Sequence, residues 1–372
     1  MVTATTASGE IGDPVRGLTP EQVQTFEAGR EVFEEIEDVG DGLGPVFNGD
    51  GCATCHNVGA TGGGSTLVET RFGAVVGGVF DPLANLGGSL IQNQGIGEQG
   101  ACNFVGEVVP GTATVSAGRR TTPLFGLGLV DAVPDSTFRA MARSQARRSP
   151  STAGRANMVT DAVTGETRVG KFGWKSQVPN LMHFSGDAYL NEMGITSPLF
   201  PTENCPQGDC TLLACDPVPD PEDDGEDVQL FHDFMTMLGA PPRGPITRQV
   251  LAGSVLFDRI GCASCHVRTL TTGTSDIAAL SRRTFQPFSD FLLHDMGSLG
   301  DGIEQGLASG REMRTAPLWG LRLLTTYLHD GTATTIPDAI LAHDGQGRRA
   351  RDQYARLSSF QRSRLLAFLR SL

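Results

Sequence analysis

The sequence contains two short motifs in which two thiols and an imidazole lie close together. The first motif, Gly51–His56, has the sequence GCATCH, and the second motif, Gly261–His266, has the sequence GCASCH. Cys-x-x-Cys-His is the attachment signature of c-type haem: the two thiols reach two vinyl groups, and the adjacent imidazole lies beneath the iron. A zinc site would require a second ligand pair nearby, and none follows. The motifs predict two covalently bound c-type haems, held by Cys52, Cys55, His56, Cys262, Cys265 and His266.

The ligand on the opposite face of each iron decides what each haem does. An iron with two strong protein ligands transfers electrons, whereas an iron with an open position carries out chemistry. Residues 57–118, which follow the first motif, contain neither His nor Met. Spacing alone does not choose among the later candidates, which are Met141, Met158, Met182, His183 and Met193, then His294, Met296, His329 and His343.

A second pair of similar segments indicates an internal duplication. Arg120–Leu127 (RTTPLFGL) follows the first motif, and Arg314–Leu321 (RTAPLWGL) follows the second. Because both pairs occur in the same order, we interpret the chain as two copies of one unit, with insertions in the first. The predicted domains are a flexible N-terminus at 1–18, a first cytochrome c-like haem domain at 19–240 and a second at 241–372.

The elements that must position the motifs are mainly helices. Thr19 and Pro20 predict a helix start, followed by Val23, Phe26, Phe33 and Ile36 near one face. Further helices are expected at 228–238, 246–260 and 356–372, the last with Phe360 among its apolar residues. The Gly-rich stretch 57–118 predicts long loops or a few short strands. The fold class is therefore mainly α, with two cytochrome c-like haem domains.

Composition and cysteine use restrict the partners and the compartment. The chain has 372 residues and a net charge of -13, which argues against nucleic acid and would suit a basic redox partner. No apolar run is long enough to span a membrane. The start is polar and shows no signal peptide, so the chain is either cytosolic or the mature form of an exported protein. Four further cysteines predict two disulfides in an oxidising compartment, with the pairing open: Cys102, Cys205, Cys210 and Cys215.

An acidic, Pro-containing run at 217–227 predicts a solvated surface loop.

Taken together, the motifs resemble the bacterial di-haem cytochrome c peroxidase superfamily, which includes the MauG-like enzymes. The resemblance covers roughly residues 20–372 and is strongest to the di-haem oxidoreductases, or putative peroxidases, once called thiol oxidoreductases. Beyond the repeated segments, it rests on Phe172–Lys175 (FGWK), Glu192–Thr196 (EMGIT), Leu293–Gly297 (LHDMG) and Leu328–Gly331 (LHDG).

The resemblance implies roles for individual residues. Trp174 would relay electrons between the haems, and Glu192 would be the acid–base group of the peroxide pocket. His183 lies near the place where family members often have Gln, and could fill that pocket. His343 would be the distal ligand of the second iron, whereas the first iron would be open. The remaining implied contacts, around the irons or to the haem propionates, are Arg120, Arg314, His294, Asp295, His329 and Asp330.

The resemblance also implies a calcium ion between the two domains, which no acidic loop motif here identifies.

Three functions are consistent with this sequence. The first is a periplasmic di-haem peroxidase that reduces hydrogen peroxide, or forms a high-valent iron, at the first haem while the second transfers electrons. The second is a non-enzymatic di-haem electron carrier with both irons six-coordinate, and the third is a haem oxygenase of the same superfamily. The expected partners are a small-molecule oxidant and a small redox protein, and the chain is expected to be a monomer or a homodimer.

Overall fold

Helices outweigh strands in this computed structural model, which describes residues 9–372. The helices are α1 Pro20–Phe33, α2 Cys52–Cys55, α3 Leu127–Asp131, α4 Asp135–Arg148, α5 Leu181–Ala188, α6 Glu226–Met237, α7 Arg248–Arg259, α8 Ile336–Ala342, α9 Arg348–Ala355 and α10 Ser359–Leu369. A π-helical turn, Tyr189–Met193, continues α5. The mainly α composition is confirmed, and the division into two cytochrome c-like domains stays a prediction.

The strands are short and form several small antiparallel sheets. They are β1 Val46–Phe47, β2 Val68–Val76, β3 Val79–Asp81, β4 Gln94–Gly95, β5 Gly97–Gln99, β6 Cys102–Phe104, β7 Val115–Arg120, β8 Met158–Thr160, β9 Thr167–Val169, β10 Leu270–Thr271, β11 Thr284–Phe285, β12 Leu293–Asp295 and β13 Glu312–Arg314. The stretch 57–118 contains the three-stranded sheet β3-β2-β7, in which Val68 pairs with Arg120. The expected short strands are therefore confirmed there.

Each motif is preceded by a helix that packs against a later helix of the same half of the chain. Phe33 of α1 lies 4.8 Å from Phe234 of α6, and Phe257 of α7 lies 5.3 Å from Phe368 of α10, between ring centroids. A Cβ on Gly29 would lie 2.5 Å from the carbonyl oxygen of Leu230, and one on Gly253 would lie nearer still to that of Arg364. The close approach of each helix pair therefore requires glycine.

The first predicted helix is confirmed at its start and wrong at its end. Thr19 caps α1, its side chain accepting a hydrogen bond from the Gln22 N–H at 3.2 Å, and Pro20 is the first helical residue. The helix ends at Phe33, so Ile36 lies outside it and is 60% exposed. Val23, 37% exposed, also lies off the buried face. Of the four apolar residues predicted to share one face, only Phe26 and Phe33 are buried against the core.

The other predicted helices are found close to their expected positions as α6, α7 and α10. Phe360, in the first turn of α10, is 64% exposed, and Arg364 lies 3.9 Å above its ring. Phe360 therefore lies off the core, whereas Leu365, Phe368 and Leu369 are buried.

The apolar side chains form two main clusters, and the larger one crosses the predicted domain boundary. The larger surrounds Phe33, Phe125 and Phe234 but also includes Phe291 and Trp319 from beyond residue 240. The smaller joins α7 and α10. The predicted flexible N-terminus falls partly on residues 1–8, which lie outside the described residues. From residue 9 onward the chain is packed: Val15 is buried and donates a hydrogen bond to the Met237 carbonyl at 2.7 Å.

Two disulfides confirm the expectation from the cysteine count and settle the pairing. They join Cys102 to Cys215 and Cys205 to Cys210, and the four motif cysteines are free thiols. In residues 9–372, none of the helices has the length and apolarity needed to cross a membrane.

Candidate functional site

The first motif forms a single helical turn that fixes the orientation of its histidine. The His56 N–H donates to the Cys52 carbonyl at 3.0 Å, which closes the turn α2. The imidazole Nδ1 lies 2.9 Å from the carbonyl oxygen of Gly63, so Nδ1 carries the hydrogen and Nε2 is left to bind a metal. Burial lowers the pKa of His56 to about 4, so the ring is neutral at neutral pH, as a ligand must be.

The second motif repeats this arrangement with a different outer partner. The His266 N–H donates to the Cys262 carbonyl at 3.0 Å, and Nδ1 lies 3.0 Å from the carbonyl oxygen of Phe288. Burial, assisted by the nearby His343, lowers the pKa of His266 to about 4. Both motifs therefore present a neutral imidazole with Nε2 available.

His343 faces His266 across a gap that fits one metal ion. The two ring centroids lie 6.5 Å apart. Two metal–nitrogen bonds of about 2 Å each, with a ring radius of about 1 Å on either side, span about 6 Å. The Nδ1 of His343 is 2.7 Å from the Ala339 carbonyl, so its Nε2 is also available, and burial lowers its pKa. The geometry fits a bis-histidine iron at the second motif.

A cavity of about 810 Å³ opens beside this histidine pair, and its wall contains two buried arginines without acidic partners. The buried Nε of Arg120 has no hydrogen-bond partner. Arg314 donates from Nε to the Gly173 carbonyl at 2.6 Å, and burial lowers its pKa to about 10. Buried cations of this kind suit the carboxylates of a haem propionate. The residues of this chain therefore fit a haem group; those on the wall are Cys262, Cys265, His266, His343, Arg120, Arg314 and Trp174.

Trp174 lies between the two repeated segments. Its indole N–H donates to the Arg120 carbonyl at 2.9 Å, and its own carbonyl accepts from the Arg314 N–H at 2.8 Å. The ring packs edge-on against His329, with 6.2 Å between centroids. The central position expected for Trp174 is thus compatible with the structure, and its role as a relay stays a prediction.

Glu192 is fastened directly to the segment that leads into the first motif. The N–H groups of Asn48 and Gly49 donate to its carbonyl, and the side-chain amide of Asn48 donates to its Oε2 at 2.9 Å. Its carboxyl group also forms a hydrogen bond with Glu69. Its charge acts on Cys55, which places it beside the first motif.

A second carboxylate, Glu69, and an arginine complete this group. Arg71 Nε donates to Glu69 Oε1 at 3.1 Å. Burial opposes the ionisation of Glu69, but the charge of Arg71 and the hydrogen bond from Glu192 outweigh burial and lower its pKa. Burial and the charge of Glu69 raise the pKa of Glu192 well above its usual value. Of the two carboxyl groups, Glu192 is therefore the one that holds the proton, and Glu69 is the carboxylate. We call Glu192, Glu69 and Arg71 the acid cluster.

Sequence reasoning did not find Glu69 and Arg71. Both lie on β2, two positions apart, and therefore point to the same face of the sheet. The available signal in the sequence was an acidic and a basic residue two positions apart in a strand with a buried centre. The same pattern is common on strands that face solvent, so it does not single out a site.

His183 lies on α5 and is linked to the acid cluster through one intervening residue. Its Nδ1 accepts from the Ala162 N–H at 3.0 Å, and its ring contacts Phe200. Asp187, one turn further along α5, interacts electrostatically with both His183 and Arg71. Burial lowers the pKa of His183. The structure thus connects His183 to the cluster through Asp187.

Other candidate ligands have different partners in the structure. His294 has both ring nitrogens at 3.0 Å from side-chain oxygens, Nε2 to Asp290 and Nδ1 to Gln346. Burial disfavours its charged form, but Asp290 outweighs burial and raises its pKa well above the usual value. It is therefore a cation held beside the second motif rather than an available ligand. The methionines weighed for the first iron pack in or against the larger apolar cluster: Met141, Met158, Met182 and Met193.

The family described as "Di-haem oxidoreductase, putative peroxidase" matches residues 111–372. The chain belongs to this family. The resemblance found in the motifs is thereby confirmed, and the chain is a di-haem oxidoreductase with haem as its cofactor.

Three solved structures that match this di-haem oxidoreductase share little sequence with it. A hydrazine synthase of Kuenenia stuttgartiensis has 15% identity and a TM-score of 0.44, covering 100% of this chain and 99% of that chain. The diheme peroxidase BthA of Burkholderia thailandensis has 17% identity and a TM-score of 0.45, covering 100% and 92%. A MauG-like protein associated with microbial copper homeostasis has 14% identity and a TM-score of 0.42, covering 98% and 94%. No curated protein matches the chain.

Proposed function

We propose that this chain is a periplasmic di-haem peroxidase that reduces hydrogen peroxide at the haem of the first motif and transfers electrons through the haem of the second. One observation carries this proposal. His266 faces a second imidazole at 6.5 Å, whereas the first motif lies beside a buried acid and its carboxylate partner. Among the described residues, no second histidine ring packs against His56, whose ring contacts Phe33 at 6.1 Å.

The residues that hold the two groups follow from the donor sets. The free thiols of Cys52 and Cys55, with Nε2 of His56, would hold the first haem c. Cys262, Cys265 and the histidine pair would hold the second, and Arg120 and Arg314 would receive propionates. When bound, the first haem supplies the redox chemistry by which the O–O bond of peroxide is reduced.

The acid cluster moves the protons that this reduction requires. Glu69, ionised and paired with Arg71, is the base that accepts the proton released by the bound peroxide. Glu192, the protonated partner of this pair, donates its proton to the departing oxygen, which leaves as water. The hydrogen bond between the two carboxyl groups returns the proton from Glu69 to Glu192, so the cluster is restored.

Complete reduction of hydrogen peroxide to two water molecules consumes two electrons and two protons. Solvent supplies the protons, and a small reduced redox protein supplies the electrons. Trp174 lies between the repeated segments and on the wall of the cavity beside the second motif. It is the proposed electron relay between the haems. Two imidazoles on the second iron favour a lower potential than a His/Met pair would.

Export is supported by the two disulfides, because such bonds form and persist in oxidising compartments.

Electron paramagnetic resonance of the oxidised holoprotein tests this proposal. We expect one high-spin ferric signal from the first haem and one low-spin signal from the bis-histidine second haem, and we expect peroxide to change the high-spin signal. Two low-spin signals that do not respond to peroxide would instead identify an electron carrier.

A further inference from the structure

Four carboxylates converge where the chain folds back after the π-helical turn. One oxygen from each of Glu203, Asp216, Asp220 and Glu222 lies within 4.8 Å of the others. The sequence predicted a solvated loop at 217–227, and for part of it this prediction is wrong. Asp223 is buried, and Glu222 is partly buried with its side chain turned into the protein.

Glu203 shows that this group is more than an exposed acidic patch. The residue is 5% exposed, and its Oε2 is buried without a hydrogen-bond partner, while Oε1 accepts from the Asn204 N–H at 2.7 Å. The Oε1 of Glu222 is likewise buried without a partner. A buried carboxylate oxygen without a donor is costly, and a cation bound between Glu203 and Glu222 would compensate both of these oxygens.

The surroundings also favour a bound cation. Each of the four carboxylates lies beside the three others, so their negative charges repel one another unless a cation lies between them. Beside Glu222, a further cavity of about 310 Å³ is lined by the carboxylates of Glu35, Glu37, Asp41, Asp223 and Asp227. A concave surface with charges of one sign concentrates counter-ions.

The geometry and the ligand type fit calcium. Calcium binds six to eight oxygens at roughly 2.3–2.6 Å, so two oxygens on opposite sides of the ion are about 5 Å apart. The four oxygens lie within that span. Carboxylates without nitrogen or sulfur select a hard cation, and a site built from an irregular loop suits calcium better than magnesium, which demands near-ideal octahedral geometry.

We propose that Glu203, Asp216, Asp220 and Glu222 form a calcium site. Both disulfides hold this loop in place, since Asp216 follows Cys215 directly and Glu203 precedes Cys205 by two residues. The four residues lie within one predicted domain, so this site differs from the calcium between domains that the family resemblance implies. It does not rest on the proposed peroxidase function.

The site also connects to the turn that carries Glu192. Glu222 Oε2 accepts hydrogen bonds from both the N–H, at 2.8 Å, and the hydroxyl of Thr196. The side-chain amide of Asn204, next to Glu203, donates to the Leu190 carbonyl at 3.4 Å. Bound calcium would therefore hold the loop against both ends of the segment that contains Glu192.

Calorimetric titration of calcium chloride into the chelator-treated holoprotein tests the site. We expect Glu203→Gln to bind one calcium ion fewer per chain than the wild type, or to bind it at least tenfold more weakly. Glu226→Gln is the matched control, because Glu226 is exposed, lies four residues after Glu222 and is outside the cluster. It should leave the titration unchanged.

A second variant and a second metal keep the test decisive. Asp220 is exposed, so Asp220→Asn folds even if Glu203→Gln does not, and it should also weaken calcium binding. A wild type whose melting temperature and calorimetric signal do not respond to millimolar calcium would overturn the proposal. Equal calcium binding by the wild type and both variants would do so too, and magnesium binding as tight as that of calcium would overturn the assignment of the ion.

Discussion

The two Cys-x-x-Cys-His motifs are nearly the same in sequence and in local structure, but their surroundings differ. In both, the histidine N–H closes a turn on the first cysteine, and Nδ1 is held by a backbone carbonyl. Opposite the second motif, α8 ends at Ala342, and the ring of the next residue, His343, faces that of His266. Beside the first, β2 and the π-helical turn bring Glu69 and Glu192 together. Two motifs with the same ligand types can therefore have different roles. The residues outside each motif decide whether a metal bound there keeps a free coordination position.

Among the substitutions that would remove the difference between the two motifs, the one at Glu192 should have the largest effect. The affected quantity is the rate of peroxide reduction. Glu192→Gln keeps the shape of the side chain but removes the proton that Glu192 holds, so kcat should fall by about 10²–10⁴-fold. Steady-state peroxide reduction by the haem-loaded protein measures the effect. Glu98→Gln, an exposed acid in the same half, is the control and should retain full activity. Unchanged turnover in Glu192→Gln would remove this residue from the mechanism.

Removing the His343 side chain should leave the second haem iron with a free coordination position, as proposed for the first. The two haems should then be alike in coordination but not in their reactivity with peroxide. His343→Ala removes the ring that faces His266, so the low-spin signal of the second haem should become high-spin. Because the acid cluster lies beside the first motif only, the second haem should gain no peroxide turnover of its own. The electron paramagnetic resonance spectrum of His343→Ala checks the coordination of the second haem. Peroxide turnover by the double variant His343→Ala/Glu192→Gln checks whether that haem reacts by itself. A double variant as active as the wild type would show that coordination alone creates the reaction site.

The proton balance of the acid cluster can be shifted by changing Glu69. Glu69→Gln removes the proposed base, so kcat should fall, and it also removes the negative charge that, together with burial, raises the pKa of Glu192, so for the remaining activity that pKa should fall. Glu192 acts in its protonated form, and activity should therefore be lost at a lower pH than in the wild type. Beyond the new pKa, the protonated fraction falls about tenfold for each pH unit. The pH profile of kcat measures this shift, and an alkaline limb at the wild-type position would count against the coupling.

The smallest expected effects test the helix pairs that the two halves share. Gly29→Ala and Gly253→Ala each force a Cβ against a backbone carbonyl, and overpacking of this kind costs about 1–3 kcal/mol of unfolding free energy. Gly253→Ala should cost more, because its neighbour is closer. Denaturant unfolding compares both with Gly111→Ala, where a Cβ would meet nothing within 4 Å. Equal stability of all three would show that the close approach does not constrain the helices.

Much of the site that depends on short segments was predictable. The cap at Thr19, the helix before each motif and the ligand set of each motif are local, so their pattern is visible in consecutive residues. His343 was predicted as the distal ligand from the resemblance, and the structure places its ring opposite His266. The error at Ile36 arose because the apolar period was continued past Phe33, where the helix ends.

The amino-acid sequence by itself determined the donor atoms, because Cys-x-x-Cys-His brings two thiols and an imidazole together within one turn of chain. It also predicted that disulfides form, and it indicates a duplicated unit, which stays a prediction. The tertiary structure alone decided how the cysteines pair and which groups face each imidazole. It also decided that Glu69 meets Glu192 and that Glu203 meets Glu222. These partners lie on separate elements, and their proximity and pKa values depend on burial and on neighbouring charges, which exist only once the chain has folded.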